Sequence, residues 1–276
     1  MEKENVLSDI DVEATIVNIV DRIACSRFNS LDEGKMRIKI VTDPGFLLKA
    51  AEFVGAEIVY LSQCDSVNYV AKIINNSEGL YEGDLRYYYK IVFNAPNVKN
   101  PYHNFRHMIH VMCSAYEAAN FCRYFAFFGA NRFRAVLLAA LVHDYGHSGK
   151  MGNDHQEVLT SVASFKKFAL EEDKYLVEEV EELILATEFP YSNKPISPGA
   201  GILRDADASQ VFSDAWLQQN VFGLASEMNI PAAVCMEKEI EYLESLKFYS
   251  DWGKEVLFPK VSRKIFEVKE LINLLK

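Results

Sequence analysis

Apolar residues recur along the chain at helical spacing, and the pattern changes character near residue 100. Between residues 9 and 28, Ile10, Val12, Ile16, Ile19, Val20 and Ile23 fall on one helix face. Asn29 and Gly34 interrupt it. MRIKIVT, starting at Met36, alternates as a strand would, Asp43-Pro44-Gly45 predicts a turn, and FLLKAAEFVG predicts a helix. From about residue 100 the apolar stripes lengthen and breakers become rare. Helices are predicted over 104–128, 132–146, 155–171, 174–188, 205–229 and 231–247, with a Pro-, Ser- and Gly-rich loop at 190–201. No apolar strands alternate with these helices, which disfavours a parallel βαβ fold. The expectation is a mainly α protein: a small helical or mixed α/β N-terminal subdomain over 1–90 and a helical bundle over 91–276.

Composition narrows the partners. The chain has 276 residues, half of them hydrophobic and a quarter charged, so a sizeable core is within reach. A net charge of -10 argues against a nucleic-acid polymer, whose phosphates attract Lys/Arg-rich faces. It leaves room for a small phosphate ester, because bound cations supply local positive charge. The five cysteines are scattered without CxxC spacing, which fits free thiols in a reducing compartment. The polar, acidic start does not read as a signal peptide, and no apolar run approaches ~20 residues. A cytoplasmic protein without membrane partners is expected. A homodimer is admitted, since nothing in the sequence sets the oligomeric state.

Candidate chemistry concentrates in two short clusters, Tyr102-His103-Asn104-Phe105-Arg106-His107 and His143-Asp144-Tyr145-Gly146-His147. In each, two histidines stand four apart, one helical turn. His143-Asp144 ends the apolar run AVLLAALV, where an imidazole and a carboxylate are expensive to bury uncompensated. A divalent cation compensates such a mixture of nitrogen and oxygen donors. A further acid would come from Arg204-Asp205-Ala206-Asp207, predicted to begin a helix, with Asp205 and Asp207 both open as ligands. His110 is expected to be a packed or surface helix residue, and His155 solvated.

These residues resemble the HD-domain superfamily, whose signature is a His…His-Asp…Asp metal shell. The closer resemblance is to class I cyclic nucleotide phosphodiesterases. Asn100-Pro101-Tyr102-His103-Asn104-x-x-His107 is similar to their YHNxxH signature and His143-Asp144-Tyr145-Gly146-His147-Ser148-Gly149 to their HDxxHxG motif. Leu185-Ala186-Thr187-Glu188 is similar to the LATD element, with Glu for Asp, and Asp207-Ala208-Ser209-Gln210 to the DxSN element, with Gln for Asn. The elements follow in family order over about residues 85–265.

The resemblance implies a helical bundle of the HD-domain/phosphodiesterase type that hydrolyses a 3′,5′-cyclic nucleotide, cAMP or cGMP, to the 5′-monophosphate. His107, His143, Asp144 and Asp207 would hold a first cation, zinc. Asp144 would bridge to a second, magnesium or manganese, with His147 beside it, and a metal-bridging hydroxide would attack phosphorus. His103 would be the general acid, with Glu157 in a place similar to the family's glutamate that orients it. Tyr102, Glu188 and Phe248 would contact the substrate. The family's purine-holding Gln is not found near Phe248, which leaves the base open. Other hydrolases of the superfamily, acting on nucleotides, alarmones or cyclic dinucleotides, and a non-catalytic nucleotide-binding module, are the competing expectations.

Overall fold

The computed structural model describes residues 85–275 apart from positions 151, 153, 192, 193, 214 and 215. The helix and strand readings between residues 9 and 62, and nearly all of the 1–90 subdomain, lie outside the described residues. Nine α-helices and no strand occur among the described residues, an all-α fold. They are α1 (Arg86–Phe93), α2 (Phe105–Phe121), α3 (Tyr124–Val142), α4 (Asp154–Phe168), α5 (Val177–Leu185), α6 (Pro198–Ala208), α7 (Leu224–Met228), α8 (Ala232–Ser245) and α9 (Phe258–Leu275). Helix α1 runs across position 90, and its Tyr88 and Tyr89 belong to the core of the bundle.

Helices α2 and α3 form the centre. Every residue from Ala135 to Val142 is fully buried, so the second half of α3 is enclosed on all sides. That explains its uninterrupted apolar run. Helix α2 is nearly as enclosed, and α6 packs on both. Burying a Leu or Val side chain contributes roughly 1.5–3 kcal/mol, so the AVLLAALV run anchors the position of whatever follows Val142. A second, smaller core gathers Val211, Trp216, Val221, Met236, Leu243 and Val268, and joins α8 and α9 to the segment that leads into α7.

The predicted helix over 104–128 is two helices. Cys122 closes α2, Arg123 turns the chain in the left-handed region (φ 51°), and Gly129 (φ 82°) kinks α3. Its glycine supplies a conformation that a Cβ disfavours. The predicted loop at 190–201 conceals the start of α6. Ser197 Oγ accepts from Ala200 N at 3.2 Å and Pro198 occupies the first turn, a cap and an N1 proline. A Cβ on Gly199 would lie 2.9 Å from the Tyr124 hydroxyl and 3.2 Å from Val136. The small residues of PGAG thus permit close helix packing. Correspondingly, the predicted helix over 205–229 begins inside α6, tightens to a 3-10 helix at Ser209–Phe212, and resumes as a π-helix at Leu217–Gly223 that runs into α7.

One buried polar network ties α1 to α3. Arg134 grips Asp173 with Nε–Oδ1 at 2.6 Å and Nη2–Oδ2 at 2.8 Å, and the Tyr88 hydroxyl donates to Oδ2 at 2.6 Å. Burial pushes the Asp173 carboxyl up, but these hydrogen bonds outweigh it and hold the group below its ordinary range. No helix among the described residues is long and apolar enough to cross a membrane.

Candidate metal centre and catalytic pocket

The two motif clusters meet where the N-terminus of α2 faces the C-terminus of α3. Asn104 caps α2: its Oδ1 accepts from Arg106 N at 2.8 Å, and its Nδ2 donates to Asn100 O at 2.7 Å. This cap leaves His103 just before the helix and places His107 one turn inside, 1 % exposed. His143 caps α3 and is 2 % exposed. Asp207 enters from the last turn of α6.

The donor atoms of these residues converge. Nε2 of His107 lies 3.2 Å from His143 Nε2, 3.2 Å from Asp144 Oδ2 and 3.1 Å from Asp207 Oδ1. Nε2 of His143 lies 3.2 Å from Asp144 Oδ2 and 3.7 Å from Asp207 Oδ1. A tetrahedral ion with bonds of about 2.0–2.1 Å requires donors spaced by roughly 3.3–3.4 Å. His107, His143 and Asp144 form a group able to hold a metal ion by ligand spacing, and Asp207 Oδ1 is a further candidate donor, 3.1 Å and 3.7 Å from the two Nε2 atoms.

Surrounding groups fix which atoms face inward. His107 Nδ1 donates to Gln210 Oε1, and His143 Nδ1 donates to Ala140 O at 2.8 Å. With both Nδ1 atoms occupied, the Nε2 lone pairs point at each other, an arrangement that a shared cation stabilises. The Tyr191 hydroxyl donates to Asp207 Oδ2 at 3.2 Å and leaves Oδ1 for the centre. The electrostatics agree. Burial alone would depress His107, but Asp144 and Asp207 push it up to about 9 and raise His143 well above its usual value. Burial raises the two carboxyls, but the histidines outweigh it and hold both low. Four groups that demand positive charge at their common centre fit a divalent cation.

Beside this centre, His103 Nδ1 pairs with Glu227 Oε2 at 2.6 Å. Glu227 Oε1 also accepts from the backbone N–H groups of Tyr102 (2.7 Å) and His103 (2.9 Å). Burial raises the Glu227 carboxyl, but the His103 hydrogen bond outweighs it and keeps the group ionised. The orienting role expected of Glu157 is therefore corrected. Glu157 is engaged by the backbone N and the hydroxyl of Ser148, and so holds the loop after His147. The His147 ring stacks on His103, with centroids 3.7 Å apart and an angle of 17°. Its Nδ1 accepts from Gly149 N at 3.0 Å, and burial followed by the His103 charge lowers its basicity.

Two asparagines join the motif loops. Asn97 Nδ2 donates to the carbonyls of both His103 and Asp144 at 2.8 Å, and its Oδ1 accepts from Gly146 N at 2.9 Å. Asn100 Nδ2 donates to His147 O at 2.8 Å. Asn97, Glu227 and Tyr191 were not singled out from the sequence. Each makes contacts that reach 16 to 125 residues along the chain, and only the family-order place of Gln210 hinted at the partner of His107.

A cavity of about 780 Å³ opens over this array, well within the range of small-ligand sites. Tyr102 lines it, with its ring 4.7 Å from both His103 and His107. Glu188 lies at its rim, paired with exposed His155 at 3.1 Å. Phe248 is not among the lining residues, which corrects its expected place: its ring packs against Phe212 and Phe258, both at 6.4 Å. Asp205 is excluded as a ligand because it caps the turn at Tyr249-Ser250, accepting from Ser250 N at 2.7 Å. His110 is buried against Ser209 Oγ at 3.0 Å, a packed residue.

Two buried histidines and Asp144 form a group able to hold a metal ion, with Asp207 beside it, on the wall of an open cavity. Residues 104–211 match the family model of the HD domain, and this span contains His107, His143, Asp144 and Asp207. The match supports the HD-domain superfamily and a hydrolase of the phosphohydrolase type binding divalent metal. No curated protein and no solved structure matches the chain.

Proposed function

We propose that the protein hydrolyses a 3′,5′-cyclic nucleotide to the 5′-monophosphate. The observation that carries this reading is the His103–Glu227 pair, 2.6 Å apart, set one turn from the metal ligand His107 and opening on the same cavity. A site that only had to bind a cation or a nucleotide has no use for an acid poised beside it. Hydrolysis at an unactivated alkoxide leaving group does require one.

His107, His143, Asp144 and Asp207 would hold the first cation, which we assign as zinc; Asp144 would share a second, magnesium or manganese. When bound, such ions withdraw charge from phosphoryl oxygens and lower the pKa of water toward neutrality. The chain's own groups do the rest. Water forms the new bond to phosphorus, the P–O3′ bond breaks, and O3′ takes a proton from His103. The proton lost by the water restores the imidazolium. Glu227 holds His103 in one orientation and compensates its positive charge, much as a buried carboxylate serves an imidazole in acyl transfer. The stacked His147 ring and the Asn97 brace keep the acid from swinging away. Tyr102 and Glu188 supply cavity walls for the nucleotide.

The test is a panel of 3′,5′-cyclic nucleotides incubated with Mn²⁺-loaded protein, with His103→Ala alongside. The 5′-monophosphate should form, and His103→Ala should slow it by about 10²-fold or more with metal content retained. No product from any member, or unchanged turnover in the variant, refutes the reading.

A further inference from the structure

Helix α8 forms part of the cavity wall and packs on α9 and on the π-helix Leu217–Gly223. Its Met236 and Leu243 enter the smaller core, and Glu239 follows them at helical spacing. Glu239 is 5 % exposed, and its Oε1 has neither a hydrogen-bond partner nor solvent contact. The π-helix leaves two further buried acceptors without a donor, Gln219 Oε1 and Asn220 Oδ1. The cation whose charge reaches Glu239 is Lys264 of α9. That ammonium is engaged elsewhere, 2.9 Å from Glu267 and 4.1 Å over the Trp216 ring. Lys238, next to Glu239 on α8, is exposed, and Glu227 of α7 is committed to His103. The thiol of Cys235 and the phenols of Tyr102 and Tyr242 are raised first by burial, and the Glu239 charge raises each of them further.

An ionised carboxyl in such a place loses its hydration and gains nothing for it, whereas the neutral acid is tolerated and brings a donor of its own. Burial accordingly pushes Glu239 up to about 7, with Lys264 only partly offsetting it.

We propose that Glu239 is a proton lock on the cavity wall: while its carboxyl is neutral α8 stays packed on α9 and the π-helix, and ionisation loosens α8 and admits water. The proposal is independent of what the cation centre hydrolyses. A carboxyl whose folded pKa lies above its unfolded value of about 4.3 stabilises the fold less and less as pH rises between the two, and no further above the folded one. The lock is therefore closed in mild acid and released above neutrality.

The experiment follows thermal unfolding of the Mn²⁺-loaded protein and of Glu239→Gln between pH 5 and pH 8. The variant should gain at least about 4 °C on the unaltered protein over that range. A gap that does not change with pH, or that moves the other way, overturns the proposal. A second measurement needs no variant. Cys235, 3 % exposed, lies one helical turn before Glu239 and lines the cavity, whereas Cys113, 2 % exposed, lies in α2. Both thiols titrate above this pH range, so both gain thiolate alike. Alkylation of Cys235 relative to Cys113, read by peptide mass spectrometry, should rise about 10-fold from pH 6 to pH 8 if opening hydrates the carboxyl. At pH 8 it should be faster in the unaltered protein than in Glu239→Gln, although the Glu239 charge by itself would slow it. A constant ratio, or faster labelling in the variant, overturns the proposal.

Discussion

Glu227→Gln removes one negative charge and leaves the shape of the side chain almost unchanged. In the native site, Glu227 accepts three hydrogen bonds, two from backbone N–H groups and one from the His103 ring. The amide oxygen of glutamine can keep the two backbone bonds, so the loop before α2 stays in place. What is lost is the charge-assisted bond to His103, because the amide NH₂ faces Nδ1 and forces it to act as an acceptor. A hydrogen bond to a charged group contributes about 1.5–3 kcal/mol, which corresponds to a loss of roughly 10- to 150-fold in kcat/KM for a substrate that needs the acid. The assay pairs two substrates. A cyclic nucleotide leaves as an alkoxide and needs a proton; bis(p-nitrophenyl) phosphate leaves as a stable phenolate and does not. The loss should appear on the first and nearly vanish on the second. An equal loss on both would show that Glu227 supports the loop rather than the acid, and the mechanism would lose its central proton donor.

Other outcomes follow from the same geometry. Gln210→Ala frees His107 Nδ1 from its acceptor; metal affinity, measured by competition with a chelating dye, should fall about 10- to 100-fold. Asp173→Asn breaks the grip of Arg134 and should destabilise the bundle by about 3–5 kcal/mol in urea unfolding at pH 7. Because the folded Asp173 titrates below its ordinary value, its contribution is present above the unfolded pKa of about 3.9 and lost as pH falls through the folded one. The gap between wild type and variant should therefore persist at pH 6 and close progressively below pH 4. Leu137→Ala, at a fully buried place in α3, should cost about 2–5 kcal/mol by thermal or chemical unfolding.

Much of the site was legible because its chemistry is written in local spacing. Each cluster carries two histidines four residues apart, one of them a candidate ligand, and the apolar run before His143 announces a buried helix end. The choice between Asp205 and Asp207 was not legible. It depends on where α6 begins: two residues apart on a helix are about 200° apart around its axis, so one faces the cations and the other the turn at Ser250. The start at Ser197-Pro198 was hidden by glycines that serve packing against Tyr124 and Tyr249. Glu227 was missed for a different reason. It lies 124 residues from His103, in a short helix whose place is set by tertiary packing, and nothing in its neighbourhood marks it. Glu157 drew the assignment instead because its place is similar to that of the family's orienting glutamate. Phe248 shows the same limit, since an aromatic residue of the core and one of a pocket wall read alike.

Elemental analysis tests the cation centre shared by α2, α3 and α6 most directly. Protein equilibrated with Zn²⁺ and Mn²⁺ and then desalted should retain at least one equivalent of metal per chain. His107→Ala and Asp207→Ala should each abolish that retention, and His103→Ala should keep it. Protein that retains no metal, or retains it undiminished in both ligand variants, contradicts the account.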